Sequence, residues 1–139
     1  MNSCRALLIL LTAWFFISLS SGCGSTRDLL AVSISPAAAD AQNFPNGMVQ
    51  YTATGTFSRD PTTATLGPND VTWCVGTNSG TCGLIGLTGA VVDSNGMAHC
   101  VNGFSGTVNV LAGVPSTEPH TADTGAVLKI FGAATLTCP

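Results

Sequence analysis

Charged side chains are scarce in this sequence: four lysines and arginines and seven aspartates and glutamates make up 8% of 139 residues, with a formal net charge of −3. Four cations cannot neutralise the several phosphates that counterion-driven nucleic-acid binding requires, which excludes a nucleic-acid partner. No apolar run reaches the ~20 residues of a membrane-spanning helix, so a multi-span membrane protein is excluded as well. The low charge is not that of a disordered chain, which would be poor in β-branched residues and carry a high net charge; here valine and threonine are abundant and hydrophobic residues make up 45%. The sequence also has no GxSxG nucleophile elbow, no CxxC pair and no HxxxH pair. The glycines of GLIGLTG fall at a GxxGxxG spacing on a strand or turn, which is not the GxGxxG that opens a nucleotide-binding helix. One domain's worth of chain remains.

What is present begins with an export segment, MNSCRALLILLTAWFFISLSSGCGS. Arg5 precedes an apolar stretch from Ala6 to Leu19, which as a helix rises about 21 Å, short of the ~30 Å hydrocarbon core; it reads as a signal-peptide core. LSSGC resembles the bacterial lipoprotein signal, in which a small residue, here Gly22, precedes a cysteine that receives a diacylglyceryl group. Ser20 stands where that signal usually has leucine, with Leu19 one place further back. The resemblance implies cleavage after residue 22, lipid attachment at Cys23, and a tether over 23–28. Gly24 in place of aspartate implies sorting to the outer membrane of a two-membrane host. The alternative is an ordinary secretory signal that leaves Cys23 as a free thiol, a reactive liability in an oxidising compartment where a thioether is inert.

Removing Cys4 and Cys23 from the six cysteines leaves Cys74, Cys82, Cys100 and Cys138. An even number in an exported chain indicates two disulfides with three possible connectivities. We favour Cys74 with Cys82, which bracket the turn-rich VGTNSGT, and Cys100 with Cys138. Chain entropy assigns these loops about 2.5 and about 4 kcal/mol. A zinc site on these thiols with His99 and His120 is the competing reading, disfavoured by the spacing and by oxidation.

From residue 29 to 139, apolar and polar residues alternate at period two in short runs broken by Gly, Pro, Asn and Asp, the pattern of a half-buried antiparallel sheet. LAVSIS places Leu30, Val32 and Ile34 on one face. NFPNG is a turn, with Asn46 and Gly47 suited to positive φ. MVQYTATGTF places Val49, Tyr51, Ala53, Gly55 and Phe57 inward, with threonines on the solvated face in place of charges. Residues 58–70 read as a long polar connection. DVTWCV places Val71, Trp73 and Val75 inward, with Trp73 as the core anchor and the Cys74–Cys82 bridge on the outside. SNG at 94–96 is a turn. MAHCV leaves open whether Met97 and His99 or Ala98 and Cys100 face in. Val108 and Val110 oppose Asn109 and Leu111. The last run places Leu128, Ile130, Ala134, Leu136 and Cys138 on one face. About seven short strands in this order predict an all-β, immunoglobulin-like sandwich.

YTATGTFS, DVTW, VVDSNGMAH and NGFSGTVNVLA, in that order, resemble the bacterial immunoglobulin-like domains of group 2 over about Ala31 to Ala112, with the last strand extending the likeness to Cys138. That resemblance implies a non-enzymatic surface module acting in adhesion, envelope structure or protein–protein contact. Its contact surfaces are expected at Ser58 to Asn69 and Gly113 to Thr124, and its partner is an unidentified surface protein or glycan. Neither a cofactor nor a metal is expected. DSNG at 93–96 lacks the further carboxylates of a calcium loop. Asp60, Asp70, Asp93, Glu118 and Asp123 all sit beside turn residues, where no buried acid–base pair is visible. A second reading is a small-ligand or carbohydrate binder that uses exposed Phe44 or Phe104. A third is a metal-assisted hydrolase built on His99, His120 and a carboxylate.

Overall fold

The computed structural model describes residues 27–83, 88–116 and 125–139. Among these residues ten strands follow one another, with two single 3-10 turns after the second: β1 (Leu29–Ser35), β2 (Ala38–Asp40), β3 (Met48–Gln50), β4 (Thr52–Phe57), β5 (Thr63–Thr65), β6 (Thr72–Gly76), β7 (Ala90–Val92), β8 (Met97–Cys100), β9 (Gly106–Pro115) and β10 (Leu128–Cys138). β3 and β4 are one run of chain interrupted only at Tyr51, which gives its N–H to the Gly96 carbonyl instead of a ladder partner. That run pairs with β8 through its first half and with β1 through its second, so β1, β3/β4, β8 and β7 make one layer. The other layer has the order β2-β10-β9-β6. This is the strand arrangement of an immunoglobulin-like sandwich.

Ten strands stand where the sequence predicts about seven, because two additions are very short and the break at Tyr51 divides one strand. β2 is formed as the chain leaves the first layer at Pro36 and pairs in parallel with β10. β5 lies inside the expected polar connection: Thr63 and Thr65 pair with Thr56 and Thr54 of β4. Threonine fits a strand exposed on one side as readily as a loop, so composition alone does not separate the two.

The main core lies between the layers. Val49, Ala98, Val110, Ala112 and Leu136 are fully enclosed, and Tyr51 and Ala53 are nearly so. Tyr51 reaches across, its hydroxyl donating to the Thr135 carbonyl of β10 at 2.9 Å. Ala98 and Cys100 face in and His99 faces out, which resolves the parity of β8.

Two inward faces differ from the simple alternation, each at a bulge. The register shifts between Leu29 and Ala31, so Leu29 packs on the core and Leu30 is 59% exposed. It shifts again between Leu128 and Ile130: Ile130 joins the main core and Leu128 turns to the opposite face. An extra residue in one strand inverts everything beyond it, which a strict period of two cannot anticipate.

Leu128 has a purpose there. Together with Leu111 and Cys82 it forms a second, smaller core on the outer face of the β10-β9-β6 sheet, flanked by Cys74, Ala126 and Phe131. The segment after β6 folds back over that face, with Cys82 N–H donating to the Ala126 carbonyl and Leu128 N–H to the Gly80 carbonyl, both at 2.8 Å. The Cys74–Cys82 disulfide holds the segment down, with Cα atoms 5.6 Å apart. It lies outside the main core, as its parity predicts, and roofs an apolar cluster that the sequence does not reveal.

Burial raises the pKa of Tyr51 above its ordinary 10.0, so the fold favours the neutral phenol. The stability this contributes is complete below the unfolded-state value and is lost as pH rises through the folded-state value. Tyr51 is the only tyrosine in the chain, so tyrosinate absorbance reports it alone. Its midpoint is expected above 10.0, coupled to unfolding; an ordinary midpoint without unfolding would place the ring in solvent.

Candidate functional site

The two ends of the sandwich differ in what they carry. β1 starts beside the end of β4, with Leu29 opposite Phe57, and β10 starts beside the end of β9, with Leu128 opposite Pro115. These termini, the 58–62 turn and the N-terminal residues Arg27 and Asp28 share one end, which we call the base. At the other end lie Met48, opposite His99, and Cys138, opposite Gly106.

An open cleft of about 620 Å³ occupies this distal end. Its first wall is the segment between β2 and β3. Asp40 accepts from Gln42 N–H at 3.0 Å and starts a 3-10 turn. Asn46 (φ 58°) and Gly47 (φ 67°) then reverse the chain in the left-handed region, the geometry for which the Asn-Gly pair is suited. The second wall is the β8–β9 turn, where Phe104 N–H donates to the Val101 carbonyl at 3.1 Å. The Cys100–Cys138 disulfide, Cα atoms 5.8 Å apart, ties that turn to the end of β10. Its longer loop makes it the more stabilising of the two bridges, at about 4 kcal/mol.

Phe44, Met48, His99 and Phe104 all line this cleft, with Gln42, Asn46 and Asn102 as its amides. Among the described residues no Asp, Glu, Lys or Arg side chain does. Phe44 is 36% and Met48 43% exposed; with Leu30 they are the exposed large hydrophobic residues among those described. Phe104 is half-buried, its ring laid over Gly89 so closely that a Cβ there would sit 2.6 Å from it. The arrangement offers apolar contact area beside neutral hydrogen-bonding groups. Among the described residues that line it, no nucleophile is paired with a base. Phe44, Phe104 and His99 were separate candidates in the sequence. Met48 was legible only as an apolar residue on the threonine and glutamine face of its strand.

The remaining candidates are scattered. Trp73 packs against the main core and stays partly exposed, its indole against Gly96 (φ 81°), where a Cβ would come within 2.8 Å of the ring. Asp93 organises the β7–β8 turn, accepting from Asn95 N–H at 2.8 Å and Met97 N–H at 2.9 Å; this is turn chemistry. Asp70 accepts from Gly67 N–H at 2.7 Å in the same manner. His120, Glu118, Asp123 and most of the expected contact loop from Gly113 to Thr124 lie outside the described residues, as does Cys23. Among the described residues no group of three or more His, Cys, Asp or Glu could hold a metal ion, and no helix is long and apolar enough to cross a membrane. The Ser58 to Asn69 segment runs from the base through β5.

No family model and no curated protein matches the chain.

Proposed function

We propose that this chain is an exported, lipid-anchored envelope protein whose single immunoglobulin-like module, of the group 2 type, works by contact rather than turnover, in adhesion, envelope structure or protein–protein interaction. The observation that carries this reading is the distal cleft: exposed Phe44 and Met48 lie together at the end of the sandwich opposite the N-terminal chain, where a tethered domain meets its surroundings. Outer-membrane sorting belongs to the same reading and rests on Gly24 after Cys23. Cys23→Ala is expected to move the protein from the membrane fraction to the soluble fraction; membrane partitioning unchanged by the substitution would contradict the anchor.

A second reading, a carbohydrate-binding module, is favoured by one specific feature. The cleft combines an aromatic and apolar floor with uncharged amides, a surface suited to a neutral sugar's apolar face and hydroxyls. Glycan-array binding that disappears in both Phe104→Ala and Phe44→Ala, with folding intact by circular dichroism, would select this reading. An unchanged or blank array would leave protein contact as the use of the cleft.

A further inference from the structure

The residues that join the export segment to the domain do not hang free. Arg27 lays its guanidinium on the Phe57 ring, 3.6 Å from the centroid, and donates from Nη2 to the Pro61 carbonyl. Asp28 follows with a reciprocal pair: its N–H donates to Ser58 Oγ at 3.1 Å, and its carbonyl accepts from Ser58 N–H at 3.0 Å. These contacts clamp the chain against the β4–β5 hairpin before β1 begins. Four residue steps separate Cys23 from Arg27, a span of at most about 14 Å even when fully extended. β10 alone, with its eleven residues, runs roughly 33 Å from base to distal end. The reach of the tether is thus less than half the height of the domain.

We propose that the base of the sandwich is a membrane-contact face, held against the lipid headgroups by the Arg27 clamp. This inference rests on the lipid anchor at Cys23. The base has the chemistry for a headgroup surface. Every cation after Cys23, namely Arg27, Arg59 and Lys129, lies there, with Arg59 and Lys129 exposed. Among the described residues there, Asp28 and Asp60 are interspersed with the cations, a mixed charge that suits zwitterionic headgroups as well as anionic ones. Leu30, the most exposed of the large hydrophobic residues described, is thrown outward by the β1 bulge beside them. The consequence is directional: the Ser58 end of the first expected contact loop faces the membrane, and the cleft with Phe44 and Met48 faces away.

The test uses the full lipidated protein in phosphatidylethanolamine–phosphatidylglycerol vesicles containing brominated phospholipid, which quenches tryptophan on contact. Leu30→Trp adds a reporter at the base and Phe44→Trp one at the cleft, each read against the parent with its native Trp73. Strong quenching of the first above the parent and none of the second is expected, and Arg27→Ala in the Leu30→Trp background should reduce the quenching at least twofold while the protein still floats with vesicles. Arg27 is a positioning residue, and a role confined to fold stability would leave that quenching unchanged in the floated, folded fraction. An unquenched Leu30→Trp reporter, or equal quenching of both, in protein that floats would overturn the orientation and leave the anchor intact. A parent protein that does not float would overturn the anchor and the orientation with it.

Discussion

The structure depends on one strip of contact, where the β3/β4 strand lays Val49, Tyr51 and Ala53 against the inward faces of β9 and β10. The domain has few charges with which to bias its surface, and among the described residues the buried side chains are apolar apart from the Tyr51 hydroxyl. Apolar burial at roughly 25 cal/mol per Å² therefore carries most of the favourable free energy. The side chains are small: alanine and valine predominate, so the layers approach closely and no single large residue fills the gap. Tyr51 is the exception, and its buried hydroxyl is satisfied by the Thr135 carbonyl, which links the two layers directionally as well as hydrophobically.

Much of this strip was legible. Val49, Tyr51, Ala53, Val110, Ala134 and Leu136 all face where alternation places them, because both sides of an immunoglobulin-like sandwich obey period two within unbroken strands. Legibility stopped at three physical features. A bulge inverts parity without leaving a mark in composition, which is why Leu30 and Leu128 point opposite to expectation. A threonine-rich segment is equally at home in a loop and on an edge strand, which concealed β5. The outer face of a sheet is expected to meet solvent, so alternation places Leu111 opposite Val110 without marking it as the centre of a second core.

For the site, the sequence supplied names without an address. Phe44 and Phe104 lie far apart in the chain, and only the pairing of β3 with β8 brings their turns to one end of the molecule. The two disulfides, by contrast, were legible from loop length and count, and each holds something specific: one the roof of the outer core, the other the distal wall of the cleft. Arg27 gave no signal at all, since an arginine in a short polar stretch reads as solvated until its contact with Phe57 is seen. The resulting picture is polar in the sense of having two ends. One end carries Arg27 and Asp28 with exposed Leu30 beside them, and the other gathers exposed Phe44 and Met48.

Native-state hydrogen exchange tests the central strip most directly, because it separates amides that open locally from those released only by unfolding the whole domain. The account predicts that the amides of Val49, Tyr51 and Ala53, with their neighbours in the middle of β9 and β10, share the highest protection and the same denaturant dependence as global unfolding. Exchange of the Tyr51 amide, bonded to the Gly96 carbonyl, as fast as that of the β5 edge would contradict it.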